Sequence, residues 1–159
     1  FNHILSFDDN SGILVVESGI LLDDIINTFL PKGWFPYVTP GSKFTTIGGL
    51  IAADVHGKNH HKEGSFRNFV EWFELIDSKG EIKKCSRKEN SDLFEWTIGG
   101  MGLTGVIIRA AIKLRPVETS WIKQKTLVAK NIDQTFEFFE KNMNATYSVA
   151  WINLSLIHI

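Results

Sequence analysis

Apolar positions at the start of the chain fall into two short arms. FNHILSF (1–7) and GILVVESG (12–19) flank the turn-forming DDNS, a pattern that predicts a β-hairpin. The period then changes. Positions 21, 22, 25, 26, 29 and 30 are apolar, the spacing of a helix, and Pro31 ends it. WFPYVTPG (34–41) reads as extended and closes on a Pro-Gly break. TTIGGLIAAD (45–54) predicts a short helix with Thr45 or Thr46 as its cap, and DVHGKNHHKEGS (54–65) a polar loop. NFVEWFELIDSKGEIKKCS (68–86) is a second hairpin around DSKG.

NSDLFEWTI (90–98) is a helix with Asn90 or Ser91 at the cap and an acidic first turn. The glycine loop GGMGLTG (99–105) leads into a buried strand, VIIRAAIKLRPV (106–117). SWIKQKTLVA (120–129) predicts a more amphipathic strand, IDQTFEFFEKNM (132–143) a helix and YSVAWIN (147–153) a last strand. Short hairpins require antiparallel pairs, so the fold class is α+β and not a doubly wound parallel sheet. Polar alternation replaces the apolar strands near Pro116, which places a domain boundary there.

Composition narrows the function classes. Of 159 residues, 43% are apolar and 22% charged, as in a globular protein with a substantial core. A net charge of -1 gives no electrostatic case for nucleic acid. The single cysteine, Cys85, excludes an internal disulfide. No apolar run approaches the ~20 residues that span a bilayer, and there is no signal-peptide pattern. A cytoplasmic location, with room for association at a membrane surface, is the expectation. The terminal LSLIHI (154–159) reads as translated sequencing adapter. We therefore expect a fragment, open at both ends.

Several motifs compete. Gly100, Gly102 and Gly105 spell G-x-G-x-x-G, but a helix precedes them and a strand follows. That order is the reverse of a Rossmann fingerprint. A Walker loop fails because Ala52 and Asn59 stand where glycine and Ser/Thr are required. His56, His60 and His61 invite a metal and hence a metal-dependent hydrolase. Yet Gly57 interrupts a helix, and Lys58 brings a cation next to the ion. PGSKFTTIGGLIAAD (40–54) reads two ways. It is either a small-residue packing contact or a backbone surface for a flat or anionic ligand, with N–H groups at the helix start as an anion cradle.

Taken together, PGSKFTTIGGLIAADVHGKNHHKEGSF (40–66) and LFEWTIGGMGLTGVIIRAAIKL (93–114) resemble flavin-dependent oxidases of the vanillyl-alcohol oxidase and p-cresol methylhydroxylase superfamily. Within it they are most similar to the bacterial decaprenylphosphoryl-ribose oxidases. The resemblance runs from about Gly12 through Ile112 and more weakly to YSVAWI. It implies the second subdomain of a p-cresol methylhydroxylase-type FAD-binding domain over 1–116, and the start of a substrate domain over 117–153. Non-covalent FAD would lie against Gly41, Thr46, Ile47, Gly48, Gly49, Ala53, Asp54, Val55, His56 and Ile107. His56 and Lys58 would face the reactive side of the ring, as catalytic residues. Departures are visible too. The family's Gly-Arg-Ser-Tyr-Gly loop and its later active-site lysine and tyrosine do not occur, and Ala53 stands where near relatives can carry cysteine.

The implied reaction is oxidation of a sugar hydroxyl by hydride transfer to flavin N5. The implied substrate is a lipid-linked or phosphorylated pentose in bacterial cell-wall polysaccharide biosynthesis, with a partner reductase completing an epimerisation. Lys58 can supply positive charge, or act as a base if burial lowers its pKa, and His56 can orient the hydroxyl or the flavin. The rivals are the metal hydrolase and a non-catalytic binding module on the same fold.

Overall fold

A computed structural model describes residues 1–152. The first hairpin forms as the alternation predicts, from β1 (Ile4–Asp8) and β2 (Ile13–Glu17). Its turn is held by the Asp8 carboxylate, which accepts from the Asn10 N–H at 3.0 Å and the Ser11 hydroxyl at 2.6 Å. Helix α1 (Leu22–Phe29) buries Leu22, Ile25 and Phe29 and gives way to a tight turn containing Pro31. Short β3 (Trp34–Pro36) follows, then α2 (Ile47–Ala52) and the single-turn α3 (His60–Glu63), so the polar loop is partly helical. The second hairpin is β4 (Val70–Ile76) and β5 (Ile82–Ser86). Helix α4 (Ser91–Thr97) and the long β6 (Val106–Pro116) complete this part.

Strand order is β1-β2-β6-β4-β5, every neighbour antiparallel, with β3 paired to the far end of β6. The fold is α+β. Strand β6, the last strand among the described residues, lies between the two hairpins, so it is the strand that joins them into one sheet. Its position explains its composition. Ile107, Ile108, Ala110, Ala111, Ile112 and Leu114 are all buried. Of these, Ile107, Ala110, Ile112 and Leu114 share one core with Leu14, Val16, Leu50, Phe73 and Phe94, and Phe73 and Phe94 stack at 5.2 Å. Fully burying an aliphatic or aromatic side chain contributes about 1.5–3 kcal/mol, so this cluster is the main source of stability.

Two compact units divide the chain, Phe1–Trp121 and the residues from Ile122 onward. The second holds α5 (Ile132–Lys141). Asn131 caps it by accepting from the Gln134 N–H at 2.9 Å, while the Gln134 amide accepts from the Lys130 N–H at 2.7 Å. Residues 120–129 and 147–152, expected as strands, form no ladder among the described residues. Alternation makes a sequence suitable for a sheet, but a strand exists only where a neighbour supplies the ladder bonds. The terminal hexapeptide lies outside the described residues.

Candidate cofactor-binding face

Thr46 opens α2. Its backbone is extended, and its Oγ1 accepts from the Gly49 N–H at 3.1 Å. The Thr45 hydroxyl instead donates to the Ser42 carbonyl at 3.3 Å. Ile47, Leu50 and Ile51 point into the core, leaving Gly49 and Ala53 exposed one helical turn apart. The expected anion cradle at the helix start is not there. The Ile47 N–H donates to the Ile20 carbonyl at 3.0 Å, the Gly48 N–H to Ser18 at 2.8 Å, and the Gly49 N–H to Thr46. The first two tie α2 to the chain after β2, because a buried amide must be paired. What α2 offers a ligand is exposed backbone without bulk.

Beyond α2 the chain turns sharply. Asp54 has a left-handed backbone, φ 43. Its Oδ1 accepts from the Arg67 N–H at 3.0 Å and its Oδ2 from Arg67 Nε at 2.8 Å. Both oxygens are engaged, so Asp54 contributes to this face through its backbone and the turn it makes, not through a carboxylate aimed at a ligand. Val55 is fixed at both ends, its N–H on the Leu50 carbonyl at 3.2 Å and its own carbonyl accepting from Phe66 at 2.8 Å. His56 bridges to Ser65.

Gly57 lies so close to Thr39 that a Cβ would sit 2.8 Å from the Thr39 carbonyl oxygen and 2.7 Å from Asn59 Oδ1. Asn59 is fully buried; its amide donates to the Tyr37 carbonyl at 2.7 Å, and its own carbonyl accepts from Lys62 and Glu63. Between these anchors His56 and Lys58 are left exposed. The Lys58 ammonium has no hydrogen bond or ion pair among the described residues.

The glycine loop meets this turn. The Gly99 N–H donates to the Ile51 carbonyl at 3.1 Å and the Met101 N–H to the Ala52 carbonyl at 2.9 Å, capping the end of α2. Thr97 and Thr104 close the loop through their hydroxyls at 2.8 Å. Gly105, φ 146, has no space for a side chain, since a Cβ would lie 2.3 Å from the Ile76 carbonyl oxygen. Ile107 follows in β6, paired with Leu75 and 8% exposed.

Two sequence motifs about 50 residues apart thus form one junction. Gly49, Ala53 and His56 are exposed beside it, and Gly41 is exposed with no heavy atom within 4 Å of its would-be Cβ. Arg67, which holds Asp54 at the junction, and Asn59, which anchors the loop carrying His56 and Lys58, carried no signal in the sequence. A buried asparagine inside a polar run looks like any solvated one.

The histidines do not assemble a metal centre. His56 and His60 lie edge to face with ring centroids 5.1 Å apart, and the His60 Nδ1 is spent on the Gly64 carbonyl at 3.1 Å. Among the described residues no three His, Cys, Asp or Glu side chains converge. Burial pushes the Cys85 thiol up, away from the reactive thiolate.

An antiparallel α+β domain that presents side-chain-poor backbone beside a glycine loop suits a flat, extended cofactor laid against the main chain. The sequence model of the family described as an FAD binding domain matches residues 1–86, and the chain belongs to that family. Its cofactor is FAD, and the small exposed positions fit it. The chain is 40% identical over 155 residues to the decaprenylphosphoryl-β-D-ribose oxidase of Mycolicibacterium smegmatis, covering 96% of this chain and 34% of that protein. It is 34% identical over 96 residues to cytokinin dehydrogenase 5 of Arabidopsis thaliana, covering 58% and 17%. Against a D-lactate dehydrogenase of Anaerostipes hadrus it is 31% identical over 126 residues, covering 76% and 26%. The chain spans about a third or less of the length of these curated relatives. No described helix is long and apolar enough to cross a membrane.

Proposed function

We propose that this chain forms part of an FAD-dependent oxidoreductase that oxidises a hydroxyl of a lipid-linked or phosphorylated pentose. In this reading residues 1–116 are the second half of the FAD domain and residues 117–153 begin the substrate domain. FAD, held without a covalent bond, supplies the hydride acceptor. Gly41, Thr46 to Gly49, Ala53 to His56 and Ile107 line its cradle. Asp54 contributes through its left-handed turn, and within α2 Gly48 and Gly49 contribute by exposing backbone, Ile47 being fully buried. Lys58 attracts the substrate phosphate and offsets negative charge near the reacting centre, and His56 orients the hydroxyl. A partner reductase that returns the ketone to the epimeric alcohol belongs to the same proposal.

The observation that supports this most is Lys58: an exposed cation without a partner among the described residues, on a loop pinned from both sides. The 40% identity to the ribose oxidase supports the substrate class. The test is anaerobic mixing of a pentose 5-phosphate ester with the complete flavin-loaded protein, which has both halves of its FAD domain and its whole substrate domain; residues 1–159 alone are not expected to turn over. Bleaching of the flavin band, slowed about tenfold or more by Lys58→Ala at low substrate, is the expected result. Unchanged bleaching in both Lys58→Ala and His56→Ala removes their roles, and an absence of bleaching with any sugar phosphate favours a non-catalytic binding module.

A further inference from the structure

We propose that Arg67 is a positioning residue for the flavin. On this reading it sets the spacing between the Ala53-to-His56 edge and the glycine loop. The proposal rests on the reading that these two segments form the FAD face.

The geometry is that of a three-way clamp. Arg67 lies on the tight turn Phe66–Phe69, outside both segments. Its backbone N–H and Nε hold the two oxygens of Asp54 at 3.0 and 2.8 Å. Its Nη1 donates to Glu95 of α4 at 2.7 Å, and its Nη2 to the Ile98 carbonyl at 3.1 Å. Ile98 immediately precedes Gly99, whose N–H caps α2. One planar group therefore holds the residue that turns the chain away from α2 and the residue that launches the glycine loop.

The two edges also touch directly. A Cβ on Gly99 would lie 3.3 Å from Asp54 Cβ. Left-handed backbone at a non-glycine residue is unfavourable on its own and persists where its surroundings hold it. Asp54 is such a residue, and a second one, Met101, lies within the loop. A lysine reaches Asp54 but lacks the fork that spans to Ile98. Arg67 itself need not touch the cofactor, and its effect passes through Asp54 and Ile98.

The test titrates FAD back into the complete, flavin-stripped protein carrying Arg67→Gln, Arg67→Lys, Asp54→Asn or Phe7→Ala. Phe7, in the first hairpin, packs on Phe29 and Trp34 at 4.7 and 5.3 Å, apart from the hydrogen bonds that hold Asp54, so its loss lowers melting temperature without loosening the clamp. We expect Arg67→Gln and Asp54→Asn each to weaken FAD about tenfold or more, and Arg67→Lys to fall between them and the parent. Phe7→Ala should stay within about twofold. At saturating FAD the absorbance band of Arg67→Gln should differ in position from the parent's, a change that loss of global stability does not produce. Equal weakening by Arg67→Gln and Phe7→Ala, or by none of the clamp variants, overturns the proposal. Ala53→Phe separates the underlying reading. If that bulky residue leaves FAD affinity unchanged, the face is not the FAD face and the clamp has no flavin to position.

Discussion

Substituting Gly57 with alanine tests how the loop carrying His56 and Lys58 is seated. The new methyl group would stand 2.8 Å from the Thr39 carbonyl oxygen and 2.7 Å from Asn59 Oδ1. Neither neighbour can yield freely. Thr39 is main chain. Asn59 is buried, and swinging it aside breaks its 2.7 Å bond to the Tyr37 carbonyl. Overpacking of this kind costs about 1–3 kcal/mol, and a lost internal hydrogen bond adds about 1 kcal/mol. The sum is about 2–4 kcal/mol, or roughly 4–16 °C in melting temperature for a chain of this size. Differential scanning calorimetry of the flavin-free protein measures it. Gly41→Ala is the matched control, because its methyl group would meet no heavy atom within 4 Å and its backbone is not left-handed. Its cost is expected to stay within about 0.5 kcal/mol. A Gly57→Ala protein that melts within about 1 °C of the parent refutes the reasoning, since the close approach then carries no energy.

The same Gly41→Ala protein, unaffected without flavin, is expected to bind FAD about tenfold more weakly by fluorescence titration, if the open space at Gly41 is occupied by cofactor. Thr46→Ala removes the cap of α2 and is expected to cost about 1 kcal/mol in urea unfolding, while Thr45→Ala, outside the cap, costs less. Asp77 gives a pH dependence. The Lys83 ammonium, followed by the N–H groups of Lys79 and Glu81, lowers its pKa from 3.8 to about 2. Its stabilisation is complete above the unfolded value and is lost as pH falls through the folded one. Thermal melts of Asp77→Asn should therefore show a shallower loss of stability between pH 3.8 and about 2 than the parent.

Local pattern carried most of the elements. Apolar spacing from Leu21 to Leu30, turn chemistry at DSKG and the cap before Ile47 each act within a few residues, so both hairpins, α1, α2 and α4 follow from their own stretches. The buried character of β6 likewise showed in an apolar run interrupted only by Arg109, Lys113 and Arg115. Periodicity misled at 120–129 and 147–152, because alternation states which face a strand would bury but not whether a neighbour exists. It also suggested free amides at the start of α2, where Ile20 and Ser18 supply carbonyls that no nearby sequence announces.

The two motifs of the candidate site, 40–66 and 93–114, could be read from residue identity, since small residues and glycines restrict what the backbone can approach. Their meeting could not. The placing of β6 between β2 and β4 rests on backbone groups that every residue carries alike. So does the capping of α2 by Gly99 and Met101. Arg67 and Asp54 are 13 positions apart, and only the folded chain turns one surface arginine among several into the group that joins three segments. Element type and chemical motif are local properties and belong to the sequence. Which motifs become neighbours, and which polar groups are consumed in holding them together, depends on long-range pairing and exists only in the folded protein.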